Sequence, residues 1–300
     1  MSGQKSVLAI LMRRSVFSTV SFAFKQPVKF HSCRIPSRRL NLYSPSRAFS
    51  QTSTMFKVGD DFEKKQASRP EFKRDVPVTF SQPPNPSWKQ GEGANDGEGR
   101  PAASNYKLLI SGIVPRPIAL ISTKSKDGKT TNLAPFSYSN VINHDPPLFT
   151  VGIVGSLDKA KDTLKNLAET EECVINIISE HFVEAANATA INAPYGVSEW
   201  EVSGLTQAPC AVVQAARVKE SILAIEGKLV ETKEFESRST PGKKSGVLAI
   251  IEGVRFWVRD DAINEDKSIV DLKVLKPISR LGGISYGRTT DAIEIPRPQF

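Results

Sequence analysis

From Ala102 onward, apolar residues fall into short runs of strand length set off by turn residues. The runs RPIALIST (116–123), PPLFTVGIV (146–154), CVINIIS (173–179) and CAVVQAARV (210–218) each read as a strand. So do SILAIEGKLVETKEF (221–235) and KSGVLAIIEGVRFWVR (244–259), paired through SRSTPGKK. Asp127-Gly128 is a turn signal, and TNLAPFSYSNVI (131–142) follows it as a further strand with a proline inside. Helical spacing is confined to a few places. NYKLLISGI (105–113) predicts a short helical turn, DTLKNLAETEE (162–172) a helix through Leu164, Leu167 and Ala168, and EHFVEAANATA (180–190) another short helix. Many strands, few helices and hairpin-like links predict a mainly β fold, an antiparallel β-barrel with α insertions. A doubly wound sheet would need a regular strand–helix alternation that the chain lacks.

Composition divides the 300 residues further. Residues 1–58 read as a leader, 59–101 as a Pro/Gly-rich linker or arm, 102–290 as the folded domain and 291–300 as a C-terminal tail. The tract GEGANDGEG (91–99) is acidic, follows no strand and opens no helix, so it is no phosphate loop. The net charge of +8 is local: residues 1–59 hold ten Lys or Arg and no acid, which leaves 30 basic against 32 acidic residues beyond them. A near-neutral body argues against nucleic acid as a partner. The basic, Ser-rich leader, with RRSVFSTVSFAFK (13–25) and a cleavage-like Arg47-Ala48-Phe49-Ser50, predicts a mitochondrial (matrix) presequence; the alternative is a cytoplasmic form starting at Met55. No apolar run is long enough to span a bilayer. Cys33, Cys173 and Cys210 are too few and too scattered for a disulfide framework or a zinc site.

Two stretches invite chemistry. GSLDKAKDTLKN (155–166) lies where a strand hands over to a helix, whose first amides attract an anion. Ser156, Lys159, Lys161 and Thr163 favour a phosphate there, while Asp162 at the N-cap would satisfy the same amides and repel one. On these residues alone an ordinary capped surface helix is the better reading. In the interrupted strand, Pro135 cannot donate a ladder bond, so Ala134-Pro135-Phe136-Ser137 leaves backbone groups free to meet a planar ligand. Pro115-Arg116-Pro117 is similarly constrained at the preceding strand's start. An edge strand with a bulge accounts for the same residues.

The motifs VPRPIALISTKSKDG, NLAPFSYSN, DPP, KDTLKN, VIN, NAPYGVSEWEVSGL and RLGGISYG occur in order from Tyr106 to Tyr286. In this order they resemble the flavin reductase-like family, an FMN-binding split barrel of the DIM6/NTAB type. The resemblance implies a homodimer that binds FMN non-covalently near the subunit interface, often with reduction by NADH or NADPH. Carried over by position, it puts the flavin ring against Asn132, Ala134, Pro135, Phe136, Ser137 and Tyr138, with Thr123 beside them. It puts the phosphate at Lys161 and Thr163, with Asn166 one turn on and Asp162 offering its backbone amide. Arg116 would serve the phosphate or ribityl chain, Gly282 and Gly283 would permit close backbone approach, and Tyr286 would close over the site of the same or the partner subunit. His144 stands where the family usually shows a small polar residue; it is either a proton donor near the flavin or a surface residue. His181 is given no role. The implied activity is hydride transfer from a nicotinamide to flavin N5, which requires no acid–base side chain and no metal. The alternatives are an FMN-dependent oxygenase or electron-transfer component, or a flavin-binding protein without turnover.

Overall fold

The computed structural model describes Arg74, residues 101–194 and residues 197–298. The leader (1–58), with its presequence reading, and all of the arm (59–101) except Arg74 and Pro101 lie outside the described residues.

The chain opens with α1 (Ala102–Gly112), then β1 (Ala119–Lys124), β2 (Thr131–Phe136), β3 (Ser139–His144), β4 (Pro147–Val154), α2 (Asp162–Thr170) and β5 (Glu172–Ile177). There follow α3 (Val183–Ala188), α4 (Glu199–Ser203), the short β6 (Gln207–Ala208) and β7 (Arg217–Val218), and the long β8 (Leu223–Glu236) and β9 (Lys244–Val258). Last come α5 (Leu272–Leu275), β10 (Ile278–Arg280) and β11 (Tyr286–Arg288). Seven strands form one antiparallel sheet in the order β2-β1-β5-β8-β9-β4-β3. The mainly β, antiparallel barrel with helical insertions is therefore the observed architecture.

Residue parity explains the layers. In β9, Val247, Ala249 and Ile251 are buried on one face, where they meet Ile121 of β1, Val151 and Ile153 of β4, and Cys173 and Ile175 of β5. Leu164 and Leu167 of α2, almost fully buried, join this cluster, so α2 is packed against the strands by its apolar face. On the opposite parity, Leu120 of β1 and Ile118 just before the strand pack with Leu133 against Phe182, Ala186, Trp200 and Val218. With both faces covered, the first half of β1 and the residue before it read as a continuous apolar run, Ile118 to Ile121.

Three expectations are corrected. The run 131–142 is two strands, β2 and β3, which occupy the two ends of the sheet order; the chain turns at Ser137-Tyr138, and Pro135 stays in register opposite Leu120. The proline interrupts nothing because Leu133, two residues earlier and of the same parity, donates its N–H away from β1 to Glu199 Oε2 (3.1 Å). The missing N–H of Pro135 thus falls on the free edge of the sheet. CAVVQAARV is strand only at Arg217–Val218. There the amides of Ala211, Val212 and Val213 donate to the carboxylate of Glu226 (2.9, 2.6 and 2.9 Å) instead of to a neighbouring strand. And α1 is a full helix, starting three residues before the predicted turn.

Candidate functional site

α2 begins where its buried side chains dictate, and this exposes its amino end. Lys161 is the N-cap residue in an extended conformation, and no side chain caps the helix. Lys165 N–H is bonded back to Lys161 O (2.9 Å), so the amides of Asp162, Thr163 and Leu164 have no intrahelical acceptor. The conflict over Asp162 is thereby resolved: it is the first helical residue, not the cap. These three residues and Lys161 form part of the wall of a cavity of about 570 Å³. Lys161 Nζ donates to Asn192 Oδ1 (3.1 Å), and Asn132 lies 2.6 Å from Thr163 Oγ1. With its nitrogen turned to Glu199 Oε2 (3.2 Å), Asn132 donates to that carboxylate and accepts the threonine hydroxyl. Burial raises the Glu199 carboxyl above its ordinary pKa and the Asp162 charge adds to this, against the lowering effect of the Leu133 N–H.

The free edge of β2 supplies a second wall, from Asn132 and Ala134 through Pro135, Phe136, Ser137 and Tyr138. Tyr138 O accepts the Gly152 N–H (2.7 Å), which joins the turn after β2 to β4. A Cβ on Gly152 would stand 3.1 Å from Tyr138 Cβ, so glycine allows this approach.

A third wall comes from the ends of the domain. Tyr106 and Ile110 of α1 line it with Arg116, Arg280, Leu281 and Gly283. Arg116 is 7% exposed. Its Nη1 donates to Ile110 O (2.6 Å) and Ile113 O (2.7 Å), and its Nη2 to Leu281 O (3.0 Å). It thus ties carbonyls at the carboxyl end of α1 to the 280s loop, and only Nε is left without a partner. Gly283 takes φ +61°, which favours glycine, and Gly282 packs against Ser111 with room for no Cβ closer than 3.2 Å.

Of the sequence-predicted residues, Arg116, Asn132, Ala134, Pro135, Phe136, Ser137, Tyr138, Lys161, Asp162, Thr163 and Gly283 share this cavity. Thr123, Asn166, Tyr286, Gly282, Ser156 and Lys159 do not line it. Thr123 and Asn166 are buried behind it, where Asn166 Nδ2 donates to Thr123 Oγ1 (3.1 Å) and ties α2 to β1. Tyr286 packs beside the second apolar cluster, donates its hydroxyl to Asn187 Oδ1 (2.7 Å) and lies under the Arg280 guanidinium at 4.4 Å, away from the lining of its own chain's cavity. His144 ends β3, exposed and outside the cavity. Sequence reasoning missed Tyr106, Ile110, Asn192, Glu199 and Arg280 as lining residues. Asn192 and Glu199 lie in NAPYGVSEWEVSGL and Arg280 opens RLGGISYG, so the motifs were visible and the roles were not.

The model of the flavin reductase like domain matches residues 111–272. This chain belongs to that family. The flavin reductase-like chain is 36% identical over 195 residues to an uncharacterized protein of Halalkalibacterium halodurans, spanning 65% of this chain and 91% of the relative. Among solved structures it is similar to nitrilotriacetate monooxygenase component B from Bacillus cereus (TM-score 0.61, 31% identity, 73% of this chain and 100% of that one). It is also similar to the 2-nitrobenzoate 2-nitroreductase NbaA of Pseudomonas fluorescens (TM-score 0.59, 30% identity, 67% and 94%). The split-barrel form expected of the fold is shown by these and related flavin reductase-like structures. The mitochondrial destination is corrected by the same comparison: the curated relatives are proteins of bacteria and an archaeon, which have no mitochondria.

Proposed function

We propose that the flavin reductase-like chain holds FMN non-covalently in the 570 Å³ cavity and works as a flavin-dependent oxidoreductase, with NADH or NADPH as hydride donor. One observation carries this reading: an uncapped helix start, with Lys161 and Thr163 beside it, opens into a cavity walled by a free strand edge. The volume lies within the range of about 300–1,000 Å³ common for small-molecule sites. The residues fit the group in kind. Three amides, Thr163's among them, and a lysine suit a phosphate, and the β2 edge at Ala134–Phe136 offers apolar surface with backbone polar groups for the rim of a flat ring. FMN, when bound, supplies the hydride-accepting N5 of its ring. The chain's part is to anchor the phosphate at Lys161 and Thr163, to hold the ring against β2 and to leave one face open for the nicotinamide.

The same reading makes the protein a homodimer. Tyr138 and Val154 line the cavity yet are 43% and 76% exposed, and Val141 and Ile142 of β3 are exposed next to them, a surface that a second copy would cover. A second function within the same class, an oxygenase or electron-transfer component, is favoured by the likeness to a monooxygenase component.

Absorption spectroscopy tests the proposal. Purified protein soaked in FMN should retain a flavin band near about 450 nm through gel filtration, and NADH or NADPH should bleach it. A retained band that neither nucleotide bleaches leaves a flavin protein that is not a nicotinamide-dependent reductase. No retained band defeats FMN binding altogether. Reoxidation by oxygen that speeds up only with an added organic substrate would favour the oxygenase function.

A further inference from the structure

Arg116 and Arg280 are direct partners across an antiparallel bridge, with Arg116 N–H bonded to Arg280 O (3.1 Å) and Arg280 N–H to Arg116 O (2.9 Å). Partners of this kind project their side chains to the same face, with Cβ atoms about 5 Å apart. Two like charges so placed repel each other, and among the described residues no carboxylate forms an ion pair with either. Both side chains line the cavity, and each keeps a buried donor unmet: Nε of Arg116 and Nη1 of Arg280. The rest of Arg280 is fixed, with Nη2 donating to Gly283 O (2.8 Å) and the guanidinium lying over the Tyr286 ring. A pair of preset cations with unsatisfied N–H groups is costly without an anion and favourable with one.

The flavin phosphate does not account for it. That group is served by the start of α2, whereas the arginine pair is built from different elements, beside Tyr106 and Ile110 of α1. We infer that Arg116 and Arg280 form an oxyanion site for the second reactant, receiving either the carboxylate of an organic acid or a phosphate of the nicotinamide nucleotide. The inference rests on the proposed FMN cavity, but the site itself belongs to the protein and exists without the flavin.

The test uses the full chain loaded with FMN. Benzoate, the oxidised nucleotides NAD and NADP, and neutral benzamide are titrated against wild type, Arg280→Gln and Arg280→Lys, and read by perturbation of the bound-flavin spectrum. The same titrations are read by calorimetry on protein without FMN. Arg280 is chosen because Arg116 also holds the end of α1. Loss of one charge-assisted contact predicts that Arg280→Gln binds at least one oxyanion ligand about tenfold or more weakly. Arg280→Lys should recover most of that, while affinities for benzamide and FMN should change by less than about twofold. A loss confined to benzoate assigns an organic carboxylate; one confined to the nucleotides assigns a phosphate. The inference is overturned if wild type binds none of the anions, if Arg280→Gln leaves them unchanged, or if it is FMN affinity that falls about tenfold. Failure of wild type to bind FMN defeats the proposed function alone, because calorimetry on the flavin-free protein still decides the arginine site.

Discussion

Glu226 is wholly buried on β8, and its carboxylate accepts four hydrogen bonds, from the amides of Ala211, Val212 and Val213 and from Trp257 Nε1 (2.7 Å). Burial alone would raise its pKa; the donors together outweigh burial and lower it. A lowered carboxylate stabilises the fold fully above the unfolded pKa and loses that contribution as pH falls through the folded value. Glu226→Gln should therefore lie furthest below wild type in stability at neutral pH and approach it as pH drops below about 4.5, read by urea unfolding across pH. Glu226→Ala should cost about 3 kcal/mol at pH 7, chiefly for the buried Val213 amide and the indole N–H, since Ala211 and Val212 lie exposed and can turn to water. If the two variants show the same pH dependence as wild type, the carboxylate is not what orders 211–213. This residue also marks where sequence reasoning stopped. CAVVQAARV has strand composition, but its amides are taken by a side chain from a distant strand, and no local pattern signals that.

At the scale of elements, α2 shows what was legible. Leu164 and Leu167 at helical spacing gave the helix, and the strand-to-helix handover gave an anion site at its start. The residue at the N-cap position was not legible, because Lys161 takes that place only once the buried pair has fixed the rotation of the helix. β2 and β3 were legible as strand and invisible as two, since the turn at Ser137-Tyr138 has no strong turn residues and is held by the bond from Gly152 on β4. If the start of α2 holds the phosphate, Lys161→Ala should weaken FMN about tenfold by loss of one charge-assisted contact, while the affinity for riboflavin, which lacks the phosphate, stays level. Lys161 is exposed, so the substitution leaves the fold intact, and fluorescence quenching on titration gives both constants. An equal loss for the two flavins would move the phosphate elsewhere.

For the whole molecule, the antiparallel barrel follows from strand count and link length, but the strand order β2-β1-β5-β8-β9-β4-β3 is a matter of tertiary pairing and could not be read from local pattern. The resemblance gave the barrel and a set of contact residues; it did not show that Thr123, Asn166 and Tyr286 are spent on internal bonds. The cavity that results is bordered by α1, β2, β4, α2, the segment after α3, and the 280s loop, elements from both ends of the domain. A ligand that bridges so many elements should stabilise all of them together. At free FMN of about 100 times its dissociation constant, binding adds ~2.7 kcal/mol to the folded state. For a domain of this size each kcal/mol moves the melting temperature by roughly 2–4 °C, so the full chain should melt about 5–10 °C higher with FMN. The transition should stay single, because the bridged elements gain together. Two thiols give an independent readout: full burial pushes Cys173 up to about 12 and partial burial pushes Cys210 up to about 11, so Cys173 above all should resist alkylation at neutral pH in the folded protein. FMN should then slow the alkylation of Cys173 that accompanies global unfolding by the same free energy that raises the melting temperature. A rise in melting temperature without that slowing would mean that flavin braces only the rim of the cavity and leaves the barrel as labile as before.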